Sequence, residues 1–113
     1  MIHIFSDSRY KIDKDRLKEK TKEFLMALED DSSSQDLNIV FVGRRKMKHI
    51  AVTYKKEQEA LPVLSFPYDK VNDRLLGEIV ICYPQAVLLA AERERKVEDM
   101  IVDLIRHGIE TIL

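Results

Sequence analysis

Apolar positions recur along this chain at two different periods, and each change of period marks an element. Met1 to Phe5 (MIHIF) is short and rich in isoleucine, and SDSRY after it supplies turn chemistry, so an opening strand is expected. His3 falls opposite Ile2 and Ile4 on that strand, which makes it a half-exposed strand histidine. Asp13 suits the N-cap of a helix running to about Asp30, with Leu17, Thr21, Phe24, Leu25 and Leu28 at helical spacing and lysines on the other side. The polar run DDSSSQD ends that helix as a connection. Leu37 to Gly43 (LNIVFVG) returns to a β-branched strand pattern closed by glycine.

Arg44 to Lys56 (RRKMKHIAVTYKK) places Met47, Ile50, Ala51 and Tyr54 at i, i+3, i+4 and i+7, the stripe of a short amphipathic helix. Leu61 to Phe66 (LPVLSF) is the third strand. Pro62 donates nothing to a ladder, which assigns this strand to an edge or to an irregular start. Pro67 ends it and YDKVNDR forms a loop. Leu75 to Tyr83 (LLGEIVICY) follows as a nearly continuous apolar strand. Pro84 fits the first turn of a helix reaching to about Lys96, with Ala86, Leu89, Ala90 and Arg93 in period. A last helix spans Val97 to Leu113, with Val97, Ile101, Leu104, Gly108 and Ile112 in one arc at about 100° per residue. The order β-α-β-α-β-β-α-α predicts an α+β sandwich, a mixed four-stranded sheet packed with about four helices in one domain over residues 1–113.

Composition changes this picture little. The chain has 113 residues, 45% of them apolar, enough for one domain with a real core. Nineteen basic side chains against twenty acidic ones leave attraction to nucleic acid to local clustering. A lone cysteine, Cys82, sits in an apolar strand; it points to a reducing compartment and a packing role. No signal pattern and no run of roughly 20 apolar residues is present, so a soluble cytoplasmic protein is expected.

Local clustering does occur. Arg44 to Lys56 holds six basic residues and no acidic one. Arg44, Lys48 and Lys55 project within about 40° of one another at the helical period. Such a row is either a solvated helix face or a patch that tracks phosphates. His49 falls on the far side from Met47 and is expected in solvent. Asp103, His107 and Glu110 share one side of the last helix, where they form either a solvated face or a weak site for a divalent cation. Three glycines in all leave no phosphate-cradling loop, and no serine or cysteine nucleophile stands with a base.

Three stretches together resemble the YbeY-type rRNA maturation family of metal-dependent endoribonucleases. They are VLSFP at Val63 to Pro67, following Tyr54-Lys55 by a short loop; LLGEIVIC at Leu75 to Cys82; and His107-Gly108, where that family's zinc motif begins. The resemblance covers almost the whole chain. It implies an α+β sandwich, a zinc cofactor at a C-terminal helix, endoribonuclease activity in rRNA maturation and ribosome quality control, and ribosomal RNA or the small ribosomal subunit as partner, with neither membrane nor DNA expected. Lys55 corresponds to a family arginine that helps hold substrate phosphate; it keeps the charge and loses the bidentate fork. Arg44, Lys48 and Lys55 become the RNA-binding residues, and His107 the first metal ligand.

The zinc motif of that family has three histidines, H-G-x-x-H and a third six residues on. Three imidazoles leave an open position on zinc for water or a phosphate oxygen. Here Thr111 stands at the second position, a neutral hydroxyl and a poor zinc ligand, and the third falls at position 117, beyond Leu113. Ala60-Leu61-Pro62 replaces the family's polar residues before VLSFP. The chain is therefore expected to lack the family's C-terminal metal-binding loop. The alternatives to a catalytic member are a non-catalytic relative that binds RNA or the ribosome, and an inactive fragment.

Overall fold

Strand alternation sorts the side chains onto two helical layers of unequal size. The computed structural model describes residues 1–27, 36–55, 62–68 and 75–112, without the side chains of Lys55, Leu75 and Leu76. Its strands are β1 (Ile2–Phe5), β2 (Asp36–Val42), β3 (Val63–Pro67) and β4 (Leu75–Cys82), in the spatial order β1-β2-β4-β3. β1 and β2 are parallel, as are β2 and β4, while β3 runs antiparallel to β4. The sheet is thus mixed, as predicted, and β3 lies at an edge, where the missing N–H of Pro62 costs no ladder bond.

On one face lie α1 (Lys14–Ala27), α3 (Tyr83–Glu92) and α4 (Val97–Ile112). They cover Leu37, Ile39 and Phe41 of β2 and Ile79 and Ile81 of β4. α4 supplies Met100, Ile101, Leu104, Ile105 and Ile109 to this core. The other face is covered by α2 (Arg44–Ile50) and the π-helical turn Ala51–Lys55 that continues it. There Met47 and Ala51 pack on Val42, Leu64, Val80 and Cys82. β4 is buried on both faces, which explains its unbroken apolar run. Burial pushes the Cys82 thiol above its usual range, consistent with a packing role.

Asp13 caps α1 as expected, its carboxylate accepting from the Arg16 N–H at 3.1 Å. Thr21, buried in the core, donates its hydroxyl to the Leu17 carbonyl at 2.7 Å. Pro84 lies in the first turn of α3. Leu28, most of the DDSSSQD connection, Leu61 and most of the YDKVNDR loop lie outside the described residues.

Two expected helices are shorter than their patterns. α3 stops at Glu92 instead of running to Lys96, because Glu94 adopts a left-handed conformation with φ 52°. The N–H of Arg95 donates to the Ala90 carbonyl at 2.8 Å and that of Glu94 to the Ala91 carbonyl at 3.3 Å, closing the helix as a Schellman motif. Glycine ordinarily fills that position, so Glu94→Gly is expected to stabilise the protein by about 1 kcal/mol in urea melts. α2 ends at Ile50, and beyond it the wider π-helical turn breaks the 3.6-residue period. Tyr54, assigned to the apolar stripe, is consequently 67% exposed, its ring set edge-on to Phe66 at 5.9 Å.

Candidate functional site

Helix α4 is held against the sheet by contacts among the three stretches that carry the family resemblance. β3 pairs with β4 so that Ser65 lies opposite Ile79 and Pro67 opposite Gly77. Gly108 of α4 sits directly over Ile79: a Cβ built on it meets three side-chain atoms of Ile79 at 2.9–3.1 Å. The Ser65 hydroxyl donates to the Gly108 carbonyl at 3.2 Å. A Cβ on Gly77 meets the Phe66 carbonyl oxygen at 2.8 Å and the tip of Ile112 at 2.9 Å. Two glycines and one hydroxyl therefore set how closely α4 approaches β3 and β4.

That seating fixes the turn carrying His107, which is exposed. Thr111, four residues on, donates its hydroxyl to the His107 carbonyl at 2.9 Å, a bond within the helix. The Asp103 carboxylate is taken by two cations, the Arg95 guanidinium and that of Arg106, the latter at 3.0 Å. The carboxylate of Asp103, which with His107 and Glu110 reads as either a solvated face or a weak cation site, is thus engaged in an ion-pair network. Arg106 also lies 5.5 Å from the centroid of the Phe24 ring, tying this side of α4 to α1. Among the described residues no group of three His, Cys, Asp or Glu side chains is placed to hold a metal ion. One imidazole and one internally bonded hydroxyl do not fit the zinc site that the resemblance implies.

The basic residues of α2 lie on the other face of the sheet. Arg44, Arg45, Lys46, Lys48 and His49 are all exposed. No acidic side chain pairs with any of the four Arg and Lys residues among the described residues. α2 starts at Gly43, beside the paired ends Val42 and Cys82, and the chain continues toward Phe66, which pairs with Glu78. Arg44 thus stands at the Cys82 end of β4. The backbone of Lys55 follows Tyr54 toward the end where Gly77 meets Ile112. Because the turn from Ala51 is π-helical, a 100° step from Arg44 and Lys48 does not extend to Lys55. The row of three is spread along the sheet, and only its Lys55 end approaches the end that carries the C-terminal part of α4.

At the Lys55 end the Tyr68 hydroxyl donates to the Glu78 carboxylate at 2.9 Å. Partial burial first, and the carboxylate second, raise the tyrosine above its ordinary range. At the Arg44 end α2 borders a groove of about 1010 Å³ whose opposite wall is the turn after β1. Phe5 and Arg9 belong to that groove, and sequence reasoning gave them no role. Two signals mark them in the chain: an aromatic at the C-terminal end of a strand, and a cation in the turn that follows it.

Comparisons with known proteins bear on the family and the fold. A family model described as Endoribonuclease YbeY matches residues 3–111. An Endoribonuclease YbeY of Phytoplasma australiense is 31% identical over 80 residues, covering 66% of this chain and 56% of the relative. One of Aromatoleum aromaticum is 32% identical over 85 residues, covering 75% and 53%. One of Campylobacter jejuni is 30% identical over 98 residues, covering 86% and 73%. The chain thus spans little more than half the length of the first two. The solution structure of a Thermotoga maritima protein superposes with a TM-score of 0.68 at 25% identity, covering 96% of this chain and 69% of that one. No described helix is long and apolar enough to cross a membrane. With the family model matching nearly from end to end, the chain belongs to the Endoribonuclease YbeY family.

Proposed function

We propose that this protein acts on ribosomal RNA as a cytoplasmic maturation factor of YbeY type, and that its described residues hold RNA and do not cut it. The observation that carries this reading is the set of exposed α2 cations without acidic partners among the described residues, on a chain whose formal net charge is only −1. Unpaired cations on one face are what a phosphate backbone requires, and each one engaged releases a condensed counterion. Arg44 and Lys48 are assigned to the backbone, and Lys55, at the family arginine position, to a phosphate nearer α4. The ribosomal target and the cytoplasmic setting rest on family membership.

A second reading, hydrolysis at zinc, keeps one observation in its favour. His107 stands exposed on a well-seated turn, at the family's first ligand position. It requires ligands that the described residues do not supply, so no step through the metal follows from them. Zinc content separates the two readings. Dialysed protein is expected to hold less than one equivalent by mass spectrometry; stoichiometric zinc that disappears in His107→Ala establishes the hydrolytic reading instead. The holding role is tested by replacing Arg44, Lys48 and Lys55 together with glutamine. Affinity for a single-stranded rRNA-derived oligonucleotide at about 50 mM salt is expected to fall about tenfold or more. Unchanged affinity rejects it.

A further inference from the structure

The α2 cations do not face open solvent on every side. α2 covers β2, β4 and β3 through Met47 and Ala51 but leaves the edge strand β1 uncovered on the same face. Between α2 and the turn Ser6–Tyr10 runs the groove of about 1010 Å³, with Phe5 and Val40, a paired couple on β1 and β2, along its floor. Arg44, Arg45, Lys46 and His49 line one wall and Arg9 the other. Asp7 is the one acidic side chain among the described lining residues, and it is already engaged, by the Arg9 Nε at 3.1 Å and Nη2 at 3.2 Å. Those bonds hold the Asp7 carboxyl below its usual range, the backbone N–H of Arg9 contributing most.

The floor is aromatic as well as the walls cationic. Phe5 is 53% exposed, unusual for a ring at the end of a four-residue strand, with His3 stacked beside it at 6.4 Å. At the back of the groove Tyr10 stacks on Tyr83 at 4.5 Å. A Cβ on Gly43 would stand 3.2 Å from the Tyr10 hydroxyl, so the glycine admits this ring. The groove lies at the Cys82 end of β4. The Gly108 seat of α4, over Ile79, lies on the opposite face of the sheet and about 10 Å from Cys82 along the strand.

We propose that this groove is a second RNA-binding site, remote from α4, that seats a single-stranded segment with a base stacked on Phe5 and its phosphates on Arg45, Lys46 and Arg9. It rests on the RNA-holding reading above and extends it to residues that reading does not use. An unpaired base is required because a flat ring accepts only a base free of its duplex, and stacking of this kind tolerates any sequence. The cations act on the backbone without reading it. Because α4 lies on the opposite face of the sheet, a strand that reaches both has to pass around the edge of the sheet.

A fluorescein-labelled ten-nucleotide oligouridylate carrying one 4-thiouridine tests this by anisotropy and photo-crosslinking. Crosslinks are expected within residues 1–10 and 40–49. Phe5→Leu, which keeps an apolar side chain and removes the ring, is expected to weaken binding about fivefold or more with the salt slope unchanged. Arg45→Gln with Lys46→Gln is expected to reduce that slope by about 1.4, the loss of two phosphate contacts on a single strand. Circular dichroism confirms that each variant is folded. Binding that persists with crosslinks confined to residues 52–68 or 97–112 overturns the groove while leaving the RNA-holding reading standing. Binding that Phe5→Leu and the double variant leave unchanged, but that loss of Arg44, Lys48 and Lys55 abolishes, overturns it in the same way. Absence of any wild-type binding at about 50 mM salt overturns both.

Discussion

Replacing Gly108 with valine is expected to lower the stability of the protein by about 3 kcal/mol, read as the midpoint of a urea melt. Intrinsic helix propensity predicts the opposite sign, since glycine is among the poorest residues in a helix interior, by about 1 kcal/mol relative to alanine. Packing decides the matter. Even the first carbon of a side chain at 108 falls at 2.9–3.1 Å from three atoms of Ile79. Ile79 is fully buried in the sheet and has no room to retreat. Valine adds two more carbons to that contact, and α4 has to lift from β4. Lifting it also lengthens the bond from Ser65 to the Gly108 carbonyl. A double-mutant cycle isolates the cause. Ile79→Ala by itself opens a cavity and costs about 3 kcal/mol, yet combined with Gly108→Ala it removes the atoms that the new methyl meets. The pair is expected to be less destabilising than the sum by about 1 kcal/mol or more. Additive effects would show that Gly108 is not a contact glycine.

Met47→Ala is expected to cost about 3 kcal/mol and to loosen α2 ahead of the rest of the molecule. The core on the α2 face is small, and its fully buried contributions from this side are Met47 of α2 and Ala51 of the turn that continues it, both with no exposed surface. Truncating Met47 leaves a seven-residue helix, too short to persist without tertiary packing, held mainly by a methyl group. Hydrogen exchange should therefore accelerate over residues 44–55 before it does in α4, whose buried face carries six residues. RNA affinity should fall together with that protection, since the cations depend on α2 for their placement. Met47→Leu, nearly equal in volume, should cost less than about 1.5 kcal/mol and preserve both. Uniform exchange across the two helices in Met47→Ala would mean that the two faces of the sheet unfold as one unit.

The sequence and the structure agree wherever one local rule dominates. Pro62 put β3 at an edge because a residue without an N–H has few other places in a sheet. The nearly continuous apolar run of β4, in which every position but Gly77 and Glu78 is apolar, is legible as a strand and fits its burial on both faces. α2 and α3 are less legible, for different reasons. Met47, Ile50, Ala51 and Tyr54 satisfy the 3.6-residue template, and nothing in those letters signals the turn that widens at Ala51 and sends Tyr54 to Phe66. Glu94 ends α3 in a conformation that normally selects glycine, so the charged run through Lys96 gives no stop signal. The candidate site divides in the same way. His107 and the basic run stood out as motifs, whereas the engagement of Asp103 by Arg95 comes from the bend between α3 and α4. The β1 groove escaped because Phe5 and Arg9 meet α2 only through the parallel pairing of β1 with β2.

The strand order has a consequence for how the chain assembles. β3 and β4 form an antiparallel pair joined by a short connection, and α3 and α4 follow β4 directly, so this portion is built from contacts close in sequence. The parallel partnerships of β2 with β4 and of β1 with β2 each close a longer loop through a crossover, and such pairings form late because their entropy is lost before their contacts are made. The C-terminal portion, from β3 to α4, is thus expected to assemble ahead of both parallel pairings. During synthesis β1 and β2 both leave the ribosome ahead of the portion whose sheet they join.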